Sequence, residues 1–130
     1  MTAFVDASVL VAMLLGELDA AIQTARLEDT DDLITSPVAI WEAVTALIRR
    51  DFSPEAAREE VMSLLDAARV RIVPIDARSS DFALQAYALY GKGLHAANLN
   101  MGDCFAYACA KANSAQLFYK GADFAHTDLA

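Results

Sequence analysis

A chain of 130 residues holds one compact domain with a single core, and 56% hydrophobic and 22% charged residues make a globular composition slightly rich in apolar side chains. The net charge of −8 argues against passive nucleic-acid binding, which calls on a basic surface, but leaves room for a nuclease whose bound cations neutralise its site. The longest apolar run near the start, Val9 to Leu15, is too short to span a bilayer and has no basic residue ahead of it, so a cytoplasmic protein without a membrane segment is expected.

Short apolar runs alternate with longer helical stretches, with no internal repeat and no Gly-, Ser- or Pro-rich linker. Ala3 to Asp6 reads as a first strand, and Ser8 offers a hydroxyl to cap a helix beginning near Val9. A second helix is expected from about Glu17 to Leu27, ended by the acidic run Glu28 to Asp32, and Leu33 to Thr35 reads as a second strand. Ser36-Pro37 pairs a capping hydroxyl with proline at the first helical position, predicting a helix to about Arg50. Ser53-Pro54 repeats the signal for a helix to about Ala68. Val70 to Ile75 is the third strand, followed by helices from about Ser79 to Gly91 and from Met101 to Ala112, and by a fourth strand, Gln116 to Tyr119, broken by Gly121. The order β-α-α-β-α-α-β-α-α-β implies an α/β fold, a parallel sheet with helices on both faces.

Cys104 and Cys109 share one predicted helix at a five-residue step, which turns them apart, and they lack zinc-site spacing; buried free thiols are expected. The two histidines, His95 and His126, have no partner implied by spacing and read as surface or loop residues, and Trp41 reads as core or interface packing.

Ligand sites of open parallel sheets form beyond the carboxyl ends of the strands. Asp6 ends the first strand, Asp123 lies just past the fourth, Asp103 is in the first turn of the preceding helix, and Glu42 is in the second turn of the helix after the second strand. Each has a structural reading: a turn or cap at Asp6, a capping box of Asn100 with Asp103, a turn after Gly121 for Asp123, and a solvated helix flank for Glu42. The chemical alternative is that the four converge. Crowded carboxylates resist ionisation, a bound divalent cation reverses that penalty, and Mg²⁺ prefers carboxylate, water and phosphate oxygen.

The residues that separate these readings form a pattern. Val5-Asp6-Ala7-Ser8-Val9-Leu10 resembles the opening motif of PIN domains, and Ser36-Pro37-Val38-Ala39-Ile40-Trp41-Glu42-Ala43-Val44 resembles the helix that carries their glutamate. Leu99-Asn100-Met101-Gly102-Asp103-Cys104-Phe105-Ala106-Tyr107-Ala108 is similar to the third motif of VapC-type ribonucleases, and the tail Leu117 to Leu129 resembles their closing motif. The four motifs occur in order and run from near the first residue to near the last.

The resemblance implies a single PIN domain over residues 1–130, a three-layer α/β/α sandwich with a central parallel sheet. It implies an acidic quartet of Asp6, Glu42, Asp103 and Asp123, with Asp6 and Asp103 as the main metal ligands and Glu42 completing the site and orienting the attacking water. Asp123 would hold a second metal or its water, Ser8 would support the site through its hydroxyl, and Asp128 would add an acid at the rim. Some relatives carry a second polar or acidic residue immediately before the last aspartate; here that position is Ala122, so a second metal rests on Asp123 with help from Asp128. The implied cofactor is Mg²⁺, with Mn²⁺ as the alternative.

The implied activity is that of an endoribonuclease, the toxin of a type II toxin–antitoxin pair, hydrolysing RNA phosphodiester bonds with a metal-activated water to leave a 5′-phosphate and a 3′-hydroxyl. A cognate antitoxin covering the acidic site and a homodimer are implied as partners, the dimer using apolar residues from about Ser36 to Ala68. Arg49, Arg50, Lys92, Lys111 and Lys120 are candidate phosphate contacts, each with the competing reading of a solvated element end. The alternatives are a catalytically silent PIN-like interaction module and a DNA-directed nuclease. An aspartyl phosphatase would want a second aspartate two positions after Asp6, where this chain has Ser8.

Overall fold

The computed structural model describes residues 1–130. Its elements in chain order are β1 (Thr2–Val5), α1 (Ala7–Leu14), α2 (Ala20–Glu28), β2 (Asp32–Thr35), α3 (Pro37–Ile48), α4 (Pro54–Ala67), β3 (Val70–Ile72), α5 (Ala77–Tyr90), α6 (Met101–Ala112) and β4 (Gln116–Phe118). This is the order read from the sequence.

The strands form one parallel sheet in the order β3-β2-β1-β4. In β1, Ala3, Phe4 and Val5 are all fully buried. A strand buried on both faces needs helices on both sides, which is why its sequence does not alternate. Helices α1 to α4 pack among themselves and α5 packs on α6, giving the α/β/α layers. One core runs through Phe4, Leu10, Ile34, Leu47, Leu65 and Leu99. No helix is long and apolar enough to cross a membrane.

The strand order places the site. From β1 the chain moves one way to β2 and β3, and β4 returns on the other side of β1. The sheet therefore has its topological switch point beside β1, where the crevice of doubly wound sheets opens beyond the carboxyl ends. Register brings Val5 opposite Phe118, and the Asp6 N–H extends the pairing by donating to the Phe118 carbonyl at 2.9 Å. On the other side, Thr35 Oγ1 donates to the Val5 carbonyl at 2.9 Å.

Three local expectations change. The cap of α1 is Asp6, whose side chain accepts the Ser8 N–H; Ser8 itself lies in the first turn rather than at the cap. Helix α2 starts at Ala20 rather than Glu17, because Gly16 at φ 62° closes α1, with Glu17 N–H bonding to the Ala12 carbonyl and Gly16 N–H to that of Met13. Strand β3 stops at Ile72 because Pro74 has no N–H to carry the ladder to Ile75. The Ser36-Pro37 and Ser53-Pro54 caps form as expected, each hydroxyl accepting the N–H three residues on.

Candidate active site

Asp6 is 6% exposed, at the junction of β1 and α1. Its Oδ2 accepts both the Ser8 N–H at 3.1 Å and the Ser8 hydroxyl at 2.5 Å. The Ser8 Oγ in turn accepts the backbone N–H of Lys120 at 2.9 Å. Ser8 thus ties the carboxylate to the segment that leaves β4 towards Asp123.

Asp103 is 8% exposed and sits in the first turn of α6. The expected capping box is present: Asn100 Oδ1 accepts the Asp103 N–H at 2.9 Å, and Asp103 Oδ2 accepts the Asn100 N–H at 3.1 Å. The structural and chemical readings of Asp103 are therefore compatible, since the cap occupies only Oδ2.

Glu42 departs from the solvated-flank reading. It is half-buried on α3, its carboxylate accepts no hydrogen bond, and it stands against Gly102 of α6. Asp123 is exposed in the turn after β4, where Gly121 takes φ 95°. The next residue, Phe124, is 1% exposed and packs edge-on against Tyr119 at 5.1 Å, anchoring the turn. Burying such a ring contributes about 2–3 kcal/mol.

Charge links the four acids. Burial raises the Asp6 carboxyl above the ordinary range, against the opposing hydrogen bonds from Ser8, and the charge of Asp123 adds to the rise. Glu42 is pushed up to about 7, first by burial and then by the charges of Asp6, Asp103 and Asp123. Asp103 is pushed up to about 6 by burial, with Asp123 and Asp6 adding to the rise and the Asn100 N–H opposing it. No three His, Cys, Asp or Glu side chains close into a metal cage by themselves. Mg²⁺ asks for less: it keeps several waters and takes one or two carboxylates. Unbonded carboxylate oxygens, held in a partly desolvated cluster that resists its own charge, fit such a cation.

The other candidates separate. Asp128 is engaged by residues outside the quartet: it accepts hydrogen bonds from Tyr107 at 2.7 Å and Lys111 at 2.5 Å. Those partners lie four and eight residues after Asp103 on α6, about 6 and 12 Å along its axis. Lys120 is paired with Glu17 at 2.7 Å and Asp19 at 3.4 Å, and Lys111 with Asp128. Arg49, Arg50 and Lys92 are exposed and make no ion pair. His95 and His126 are exposed, and His95 Nδ1 accepts the Ala97 N–H at 3.0 Å. Trp41 is 63% exposed, so it is not a core residue. Both cysteines are buried free thiols. The apolar side chains of α4, Ala57, Val61 and Leu65, are buried in the core, which leaves Trp41 and Ile48 as the large apolar residues exposed between Ser36 and Ala68.

A groove of about 510 Å³ lined by Met13, Leu27, Leu33 and Leu64 lies at the amino end of β2, away from the acids. Two features of the acidic site escaped the sequence reading: the bridge from Ser8 to the Lys120 N–H, and the closeness of Gly102 to Glu42. A glycine in the first turn of a helix was the one available sign of the second.

A parallel α/β/α sandwich with four acids at its switch point defines the class. The family model described as PIN domain matches residues 3–129. A VapC ribonuclease of Rhizobium meliloti is 44% identical over 139 aligned residues, covering 97% of this chain and 98% of the relative. Ribonuclease VapC30 of Mycobacterium tuberculosis is 41% identical, covering 97% and 95%. Among solved structures, VapC20 of Mycobacterium tuberculosis, described as a sarcin–ricin loop-cleaving toxin, superposes with a TM-score of 0.75 at 17% identity, covering 96% of this chain and 93% of that one. VapBC2 of Rickettsia felis, bound to a promoter DNA fragment, matches with a TM-score of 0.75 at 16% identity, covering 99% and 95%. The chain belongs to the PIN-domain family and, within it, to the VapC ribonucleases.

Proposed function

We propose that this protein is a Mg²⁺-dependent endoribonuclease, the toxin of a toxin–antitoxin pair, acting in the cytoplasm on RNA phosphodiester bonds. The observation that carries the reading is the convergence of four acids: Asp6, Glu42 and Asp103 are buried or partly buried, offer unbonded oxygens and have their proton affinity raised by burial and by neighbouring acids, the exposed Asp123 among them. Asp6 and Asp103 would hold the cation through their free Oδ1 atoms, Glu42 would complete its set of carboxylates, and Asp123 would hold a second cation or its water. When bound, Mg²⁺ supplies positive charge for the scissile phosphate and for a nucleophilic water. Glu42, whose carboxylate accepts no hydrogen bond from the protein, is free to accept one from the attacking water and orient it. Cleavage of the P–O3′ bond then leaves a 5′-phosphate and a 3′-hydroxyl. Arg49, Arg50 and Lys92 carry charge unpaired in this structure for phosphate contacts.

An antitoxin presenting Arg or Lys suits this site, because a guanidinium or ammonium can replace the cation's charge among the carboxylates. A homodimer suits the exposed apolar side chains Trp41, Ile48, Leu84, Tyr87 and Met101.

The test is incubation of the purified protein with structured RNA and with DNA, in Mg²⁺, Mn²⁺ or chelator, beside Asp103→Asn. RNA cleavage that requires metal and Asp103 is the expected result. A folded parent protein that cleaves nothing overturns the reading in favour of a silent interaction module, and preferential DNA cleavage overturns it in favour of a DNA-directed nuclease.

A further inference from the structure

The contact between Gly102 and Glu42 has no bearing on the backbone of α6. Gly102 is the second residue of that helix, and its φ is not among the positive values of the chain, so any residue could adopt its conformation. Glycine is a poorer helix former than alanine, and Gly102 is buried, so neither propensity nor exposure accounts for it. The surroundings do. A Cβ built on Gly102 would overlap all three terminal atoms of Glu42, Oε1, Oε2 and Cδ, far inside van der Waals contact. No backbone atom is among these neighbours.

We propose that Gly102 is a positioning residue for RNA cleavage: the space left by its missing side chain is where the Glu42 carboxylate stands. The proposal rests on the nuclease reading above. Glu42 accepts no hydrogen bond, so the wall of α6, rather than a donor, fixes where its carboxylate lies. That wall brings Glu42 against the turn holding Asp103, the next residue after Gly102. A methyl group at position 102 would be accommodated by swinging the Glu42 side chain away, because its end is flexible and the helix backbone is not. Alanine there should spare the fold and displace the carboxylate.

This separates positioning from packing. Gly102→Ala, Glu42→Asp and the double variant are compared with the parent by thermal melting in chelator, Mn²⁺ titration and RNA cleavage. Gly102→Ala is expected to melt at or above the parent temperature, to bind Mn²⁺ about tenfold more weakly and to lose about tenfold or more in kcat, in the range seen when the support of a metal ligand is removed. Adding Glu42→Asp, which shortens the side chain by one methylene, is expected to restore part of the Mn²⁺ affinity and kcat lost in Gly102→Ala, although Glu42→Asp alone impairs both. Parent-like Mn²⁺ affinity and cleavage in a folded Gly102→Ala overturns the proposal. So does a loss that tracks a fall in melting temperature with no recovery in the double variant. A parent that binds Mn²⁺ but cleaves no RNA overturns the nuclease reading instead, and the Mn²⁺ arm still decides the role of Gly102.

Discussion

Asp6 and Asp103 reach the site from different settings, one at the end of a strand and one inside a helix, yet both use Oδ2 to close a helix cap and leave Oδ1 without a hydrogen bond. The same bonds that start α1 and α6 therefore fix the direction of two free oxygens. Fold and site share these side chains, but they use different atoms of them.

That division makes Asp→Asn an informative change. An amide oxygen accepts a cap hydrogen bond about as well as a carboxylate does, so Asp6→Asn and Asp103→Asn should fold. Each removes a charge that burial disfavours and that repels its neighbours, so melting temperature in chelator should hold or rise. Cleavage should fall by about 10³-fold or more, about 4 kcal/mol of transition-state stabilisation. Parallel loss of melting temperature and activity would mean that the two aspartates serve the fold alone.

Glu42 predicts how metal-free stability depends on pH. Its carboxyl is raised from the ordinary range to about 7, so between those values the folded chain binds more proton than the unfolded one. The contribution is favourable to folding at low pH and is lost as pH rises through about 7. Asp32, Asp76 and Asp128, held below the usual range by their hydrogen-bond partners, give the opposite slope. The difference between parent and Glu42→Gln isolates Glu42, because those groups are common to both. Measured by melting in chelator, the variant should become progressively more stable than the parent as pH rises from about 4 to 7, and Mg²⁺ should reverse the order by stabilising the parent. A difference independent of pH would remove Glu42 from the charged cluster.

The parts of the chain legible in its sequence are those governed by neighbours a few residues away. Ser36-Pro37, Ser53-Pro54 and the Asn100–Asp103 box announce their helices, and all three form. The cap of α1 falls on Asp6 rather than Ser8 because Asp6 both follows β1 and accepts the N–H that starts α1. The site is harder to read. Its acids meet because β1 lies between β2 and β4, whose strands are about 30 and 110 positions away in sequence. No local pattern carries that, so motif resemblance had to supply the quartet. The burial of Glu42 depends on a glycine 60 positions later, and the engagement of Asp128 depends on Tyr107 and Lys111, 21 and 17 positions earlier on α6.

Ser8 joins the two halves of the site through one hydroxyl, donating to Asp6 and accepting from Lys120. Ser8→Ala would leave the Lys120 N–H without its partner and free the Asp6 carboxylate to rotate. The cost to stability should be about 1–2 kcal/mol, read from denaturant unfolding. Cleavage should fall further than that loss explains at temperatures where both proteins are folded, and Ser8→Thr, which keeps the hydroxyl, should recover most of it. Equal activity in Ser8→Ala would show that the bridge serves only to join β4 to α1.

Asp128 gives the contrasting case. Burial works against its ionisation, but hydrogen bonds from Lys111 and Tyr107 outweigh that and hold its carboxyl below the usual range. It contributes stability above the ordinary aspartate range that is lost as pH falls through its lowered value. With its side chain 46% exposed, the pair with Lys111 is worth about 0.5–1 kcal/mol. Asp128→Asn should therefore lower the melting temperature slightly at neutral pH and leave it unchanged at low pH. Mn²⁺ affinity and RNA cleavage should stay within about twofold of the parent, because the residue acts on the tail rather than on the quartet. A loss of metal affinity comparable to that of Asp103→Asn would bring Asp128 back into the site, and with it the second-metal role that Ala122 cannot fill.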